Sequence, residues 1–138
     1  MGETMVSRDF ELRVYYEDTD LAGIVYYANY LRFIERARTE WVRGLGVDQG
    51  ALKREEGVVF AVRRVEADYL KPARFDDLLT VTTRLLELGG ARIELEQDVL
   101  RAGERLFAAR VVLVCMSEAG GAVRIPPDVR ARLSPERP

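Results

Sequence analysis

Apolar and polar positions alternate along most of this chain, and one long segment breaks the rhythm with a helical period. In "FELRVYY" (10–16), Phe10, Leu12, Val14 and Tyr16 alternate with Glu11 and Arg13, which predicts a half-buried strand. From Asn29 to about Leu45 the apolar positions Tyr30, Ile34, Ala37, Trp41 and Leu45 recur every three or four residues and define one helix face. Arg36 and Glu40 on another face have the spacing of an ion pair. "GLG" (44–46) supplies the stop, and residues 48–56 hold room for a short second helix before Gly57.

From Val58 to Met116 the chain reads as strand. Val59, Ala61, Val65, Ala67 and Tyr69 fall on one face of the first strand, and Pro72 breaks the pattern that follows. Residues 78–88 and 91–100 make two further strands joined at Gly89-Gly90, a hairpin signal. In the second of these, Ile93, Leu95, Gln97 and Val99 oppose Arg92, Glu94, Glu96 and Asp98. Residues 105–116 are nearly all apolar, as in a central strand covered on both sides. The tail has room for one helical turn after Pro127 and then frays. The expected fold is therefore α+β, with about five mainly antiparallel strands wrapped around one long central helix. The sheet's remaining edges and outer face call for a second copy.

Composition narrows the chemistry. The chain has 138 residues, a size for one domain over 1–138, with a core at about 10–118 and a C-terminal tail at 119–138. A formal charge of −2 argues against a nucleic-acid partner. The longest apolar run, "VVLVCM", is too short to span a membrane, and the first residues lack the pattern of an export signal. The lone Cys115 fits a reducing cytoplasm, the expected location. Histidine is absent, which removes Ser-His-Asp and Cys-His hydrolases, His-based dehydratases and most zinc sites together. No spaced acidic loop of the calcium type is present, so no metal ligand is assigned. Acid–base chemistry is left to Asp, Glu, Tyr or Lys.

One stretch concentrates such groups. "YYEDTDLAGIVYYANY" (15–30) places Glu17, Asp18, Thr19 and Asp20 ahead of Gly23 and an aromatic helix start. Together with "YLKPARFDD" (69–77), this stretch resembles the hotdog-fold acyl-CoA thioesterases of the YbgC type, with 4-hydroxybenzoyl-CoA thioesterase as a cousin. The family pattern D-x-x-G-x-V-[FY]-[HY]-x-x-Y reads here as Asp20, Gly23, Val25, Tyr26, Tyr27 and Tyr30, and the likeness extends over roughly residues 10–118.

The resemblance implies hydrolysis of an acyl-CoA thioester to a carboxylate and free coenzyme A, without metal or organic cofactor. Asp20 would act as nucleophile or as general base, and backbone amides near Tyr27 would hold the carbonyl oxygen. Tyr27 stands where many YbgC-type sequences carry histidine and where one branch of 4-hydroxybenzoyl-CoA enzymes carries tyrosine. Gly23, Val25 and Tyr26 would line the substrate, and Lys71 and Arg74 would meet the coenzyme A phosphates. The implied partners are the substrate, a second copy in a homodimer or homotetramer, and an acyl carrier protein.

The residue types suit that chemistry. N–H groups at a helix N-terminus can hold the charge that develops on a thioester oxygen. A carboxylate in the loop feeding the helix can reach the carbonyl carbon or a water beside it, and Gly23 permits a tight turn there. Plainer roles stand beside these: Asp18 and Thr19 as turn formers, Asn29 as helix cap, Tyr30 as core, Cys115 as inert core, and solvated charge for Lys71, Arg74, Arg63 and Arg64, the last two being further candidates for the coenzyme A phosphates. Glu35 is the reserve carboxylate. A different class of function also fits, a non-catalytic module binding acyl-CoA or acyl carrier protein in envelope or lipid metabolism, since YbgC-type members are associated with the Tol-Pal envelope system.

Overall fold

The computed structural model describes residues 7–134. The first six residues and the fraying tail expected after the last helix lie outside the described residues. Among the described residues five strands form a single sheet: β1 (Ser7–Arg13), β2 (Val58–Tyr69), β3 (Leu78–Leu88), β4 (Arg92–Arg101) and β5 (Glu104–Ser117). Their order is β1-β3-β4-β5-β2, and every neighbouring pair is antiparallel. Three α-helices among the described residues accompany the sheet: α1 (Asn29–Gly44), α2 (Gln49–Glu56) and α3 (Pro127–Leu133).

Helix α1 buries Tyr30, Phe33, Ile34, Ala37 and Trp41. Phe33 joins the face read from the sequence, since positions three and four apart share one stripe. The helix lies over β1, β3 and β4. Beneath it, Leu79, Val81, Leu95 and Val99 are fully buried. Among the described residues the core also encloses two polar side chains, Thr83 and Gln97. Gln97 Nε2 donates to Ile34 O and to Thr83 Oγ1, each at 2.9 Å, and Gln97 Oε1 accepts from Arg38 Nη1 at 3.0 Å. The amide therefore fastens helix to sheet with its hydrogen bonds satisfied. Helix α2 starts at Asp48, whose Oδ1 accepts from Ala51 N at 3.0 Å, and ends at Gly57 with φ +66°.

Several local expectations change. The first strand covers Ser7–Arg13 rather than 10–16, because Val14 leaves the ladder to exchange hydrogen bonds with Asp76 and Asp77. Tyr16 then enters a 3₁₀ turn and is 82% exposed. A bulge between Val62 and Arg64 switches the faces of β2 partway along. Val58, Phe60 and Val62 consequently share the inner face with Val65, Ala67 and Tyr69, and Val59 and Ala61 point the other way. Glu40 pairs with Arg43, one turn on, instead of with Arg36. The central strand β5 is interior, yet its outer face carries the exposed Arg110, and side chains such as Arg64 and Glu94 surround Val112. Helix α3 runs two turns instead of one, and Val129 and Leu133 bury in the core with Ile125, so the core reaches past residue 118.

Candidate active site

The chain from Val14 to Ala28 forms a compact loop at the start of α1. Asp18 Oδ2 accepts from Tyr15 N at 2.8 Å, and Thr19 Oγ1 donates to Tyr16 O at 2.7 Å. Both are turn residues, as their types suggest. A small hairpin follows, closed by Asp20 N to Ile24 O at 2.9 Å and by a bridge between Thr19 and Val25. At its tip Gly23 N donates to Asp20 O at 2.9 Å, and Gly23 has φ +82° in open space, so backbone conformation alone calls for glycine here. Asp20 is exposed, and its Oδ1 accepts from Ala22 N at 2.9 Å. Its second oxygen has no partner among the described residues.

This loop is fastened directly to the helix start. Tyr26 N donates to Asp18 O at 2.9 Å, and Asn29 Nδ2 donates to the same oxygen at 3.0 Å. Asn29 is therefore not the cap. It is the first helical residue, the cap position belongs to Ala28, and no side chain caps the helix. Among the described residues nothing accepts a hydrogen bond from the backbone N–H of Tyr27 or Ala28. A helix end with open donors, backed by its dipole, favours negative charge.

The connection from β2 to β3 completes the site. Val25 N donates to Ala73 O at 2.9 Å, Ile24 bridges Arg74, and the buried Ala73 N donates to Tyr30 Oη at 2.9 Å. The strand β2 has ended at Tyr69, and Pro72 lies in a loop locked to the first turn of α1. Tyr30 stacks on Phe107 with centroids 4.9 Å apart, and Tyr69 packs edge-on against Tyr30, Phe107 and Tyr27. Tyr69 Oη donates to Tyr27 O at 2.9 Å. Burial holds the Tyr30 phenol above its ordinary pKa, against the opposing effect of the Ala73 N–H. Burial likewise raises Tyr69, helped by the phenols of Tyr27 and Tyr30. These tyrosines line a recess of about 300 Å³ together with Val25, Leu70 and Lys71.

The structure distributes the other candidates unevenly. Tyr27 is 62% exposed and borders the recess, Val25 is buried in its wall, and Tyr26, 45% exposed, leans on Tyr27 outside it. Lys71 reaches the recess but forms an ion pair with Glu104, which holds the Glu104 carboxyl below its usual range. Arg74 is exposed, and its guanidinium has no partner among the described residues. Arg101 was not singled out from the sequence, because a charge at a strand end carries no pattern. It bonds Asp77 at 2.8 Å and approaches Glu104 at 3.6 Å, bracing the loop that carries Lys71 and Arg74. Arg64 pairs with Glu66 on the outer face, away from the recess. Glu35 lies two turns along α1 and accepts from Thr39 Oγ1 at 2.8 Å. At roughly 12 Å from Tyr27 along the helix, it does not share a reacting atom with that residue in one chain. Cys115 is fully buried, and burial raises its thiol pKa. Among the described residues no cluster of metal-ligating side chains occurs and no helix is long and apolar enough to cross a membrane.

Comparison with known proteins agrees with this geometry. Residues 14–133 match the model of the thioesterase-like superfamily. The acyl-CoA thioesterase YbgC of Haemophilus influenzae is 46% identical over 107 residues, which make up 78% of this chain and 79% of that protein. The structure of a probable thioesterase from Bartonella henselae superposes with a TM-score of 0.83 at 41% identity, covering 87% of this chain and 99% of the other. The 4-hydroxybenzoyl-CoA thioesterase of a Pseudomonas species shares the fold, with a TM-score of 0.86 at 24% identity over 91% of this chain and 98% of that one. The open helix start, the hairpin carrying Asp20 and the five-stranded sheet around α1 are thus parts of a hotdog fold, and the chain belongs to the thioesterase-like superfamily as a YbgC-type acyl-CoA thioesterase.

Proposed function

We propose that the protein hydrolyses acyl-CoA thioesters with Asp20 as the reacting carboxylate and the N–H groups of Tyr27 and Ala28 as the oxyanion site. The observation that carries this reading is the coupling of the Asp20 hairpin to an uncapped helix start through Tyr26 N and Asn29 Nδ2, both on Asp18 O. A thioester carbonyl at the helix start would direct its oxygen to the two N–H groups, which stabilise the charge formed on attack.

Two routes are open to Asp20. As nucleophile, its oxygen bonds to the acyl carbon, the C–S bond breaks, and the thiolate of coenzyme A leaves and takes a proton from water. Water then cleaves the resulting anhydride. As general base, Asp20 takes the proton of a water whose oxygen attacks the same carbon; the C–S bond then breaks, and the thiolate of coenzyme A leaves and takes up a proton. Either route needs only carboxylate, backbone and water, in keeping with a chain that has no histidine.

Tyr27 supplies the backbone N–H and a side-chain wall, with Gly23, Val25 and Tyr26 around the entering substrate. Arg74 and Lys71 would meet the coenzyme A phosphates, Lys71 after exchanging Glu104 for phosphate. The protein acts in the cytoplasm as a homodimer or homotetramer, and acyl carrier protein is a further source of thioester. The test is thiol release from a panel of acyl-CoAs by wild type and Asp20→Asn. Turnover by wild type that disappears in the variant supports the assignment, whereas binding without thiol release would identify an acyl-CoA binding module.

A further inference from the structure

Each of the two open N–H groups at the helix start belongs to a peptide unit whose carbonyl points the other way, because the peptide is planar and trans. The N–H of Tyr27 shares its peptide with Tyr26 O, which accepts from Asn29 N at 2.8 Å. That bond closes a turn from Tyr26 to Asn29. The N–H of Ala28 shares its peptide with Tyr27 O, and this is the central peptide of the turn. Its carbonyl is taken by a side chain 42 positions away: Tyr69 Oη donates to Tyr27 O at 2.9 Å. A carbonyl only accepts, so the phenol supplies the hydrogen.

The phenol is held in place from two sides. Tyr69 is the last residue of β2 and stands opposite Phe107 in the ladder. Immediately beyond it, Leu70 N and Lys71 N both donate to Leu106 O, at 2.8 and 3.1 Å. The Tyr69 ring meets Phe107 and Tyr30 edge-on, with centroids 4.9 and 5.5 Å away. Backbone and ring contacts thus fix the hydroxyl although the residue is 48% exposed. Partial burial raises the phenol pKa, so the group stays a donor at neutral pH.

Resting on the oxyanion role proposed above, we infer that Tyr69 is a positioning residue for that site: its phenol fixes the plane of the Tyr27–Ala28 peptide and aims the Ala28 N–H out of the helix start. One bond has two effects. The central peptide of a turn is otherwise restrained only through its flanking dihedrals, so its plane can rock away from the thioester oxygen. A donor on the carbonyl also polarises the amide and strengthens its N–H as a donor. Both effects act on charge that forms only as the carbonyl is attacked, so they belong to kcat rather than to binding. Asn29 N does the same for the Tyr27 N–H through the main chain, which leaves Tyr69 as the side chain on which substitution can test the arrangement.

The experiment compares full-length wild type with Tyr69→Phe, which removes the donor and keeps the ring contacts, so the fold persists. Tyr27-Ala28 is the single Tyr–Ala step of the sequence, so carbonyl-¹³C tyrosine with ¹⁵N alanine gives one carbonyl–nitrogen cross-peak by NMR. In Tyr69→Phe its ¹³C shift should move upfield, as a carbonyl does on losing a hydrogen bond. For the best substrate of the acyl-CoA panel, kcat should fall about five- to tenfold, the equivalent of one net hydrogen bond. Calorimetric affinity for the matching S-alkyl-coenzyme A, which has CH₂ in place of the carbonyl, should stay within about twofold. An unmoved cross-peak, or a kcat within about twofold of wild type, overturns the inference. So does a loss of thioether affinity as large as the loss in kcat, which would make Tyr69 a wall of the recess and nothing more. Where wild type releases thiol, these outcomes strike Tyr69 alone. Where it does not, the proposed catalysis fails and the positioning role falls with it.

Discussion

The phenol oxygen of Tyr30 accepts a hydrogen bond from the backbone N–H of Ala73 at 2.9 Å, joining residues 43 positions apart in the buried wall of the site. The bond ties the first turn of α1 to the loop carrying Lys71 and Arg74, and Val25 N bonds Ala73 O from the other side. Ala73 is fully buried, so no water can replace the phenol. Tyr30→Phe keeps the ring stack on Phe107 and removes only the acceptor. It should destabilise the fold by about 1–3 kcal/mol, the cost of an unsatisfied buried donor. Urea denaturation should show a lower midpoint at unchanged slope. An unchanged midpoint would mean that the loop does not depend on this bond.

Asp20→Asn should remove thioesterase activity while fold and assembly persist, because Asn keeps the Oδ1 bond to Ala22 N but cannot attack or take a proton usefully. Loss of a positioned base costs on the order of 10²–10⁴ in kcat, and loss of a nucleophile more. Asp18→Asn is the control, since its role is to accept from Tyr15 N, which Asn also can do. Retention by Asp20→Asn of more than about a tenth of wild-type kcat would reduce Asp20 to a turn residue.

Lys71 and Arg74 differ in readiness for phosphate. Lys71 is held by Glu104, while the Arg74 guanidinium has no partner among the described residues. Replacing both by Ala should raise KM and weaken its dependence on salt, since exposed charges are screened. Glu104→Gln should do the opposite and lower KM at low ionic strength by releasing Lys71. Unchanged KM in both proteins would move the nucleotide site elsewhere.

Asp98 offers a pH test away from the site. It faces out from β4, its Oδ1 is buried without a partner among the described residues, and burial raises its carboxyl above the ordinary range, with Glu96 adding and Arg105 and Arg84 opposing. A raised folded pKa means that the folded chain binds this proton more tightly than the unfolded chain. The associated stability is therefore full below the unfolded pKa and lost as pH rises through the folded one. Asp98→Asn should raise Tm at neutral pH, with the advantage shrinking as pH falls through that window. A pH-independent difference in Tm would assign the effect to packing instead.

Self-association is expected from the two sheet edges, β1 and β2, and from the open inner face of β2. Sedimentation at micromolar concentration should give a mass of two or four chains. A single 15.7 kDa species would rule out sites shared between subunits.

The sequence by itself determined most of the elements and the class of reaction. The spacing of Tyr30, Ile34, Ala37 and Trp41 is a property of one helix, and the alternation from Ile93 to Val99 is a property of one strand, so both can be read locally. The order of Asp20, Gly23, Val25 and Tyr27 is equally local, because the hairpin and helix start follow one another along the chain. What the tertiary structure decided depends on partners distant in sequence. The inner face of β2 could not be read, since the bulge at Val62/Arg64 is defined only against β5. Asn29 looked like a cap, but Asp18 O claims its side chain and leaves the helix N–H groups open. Lys71 looked free until β5 brought Glu104 to it. Helix α3 looked like a loose turn because its apolar residues, Val129 and Leu133, find their burial only in the common core formed by distant parts of the chain. Periodicity records what an element can bury, and the fold alone settles against what.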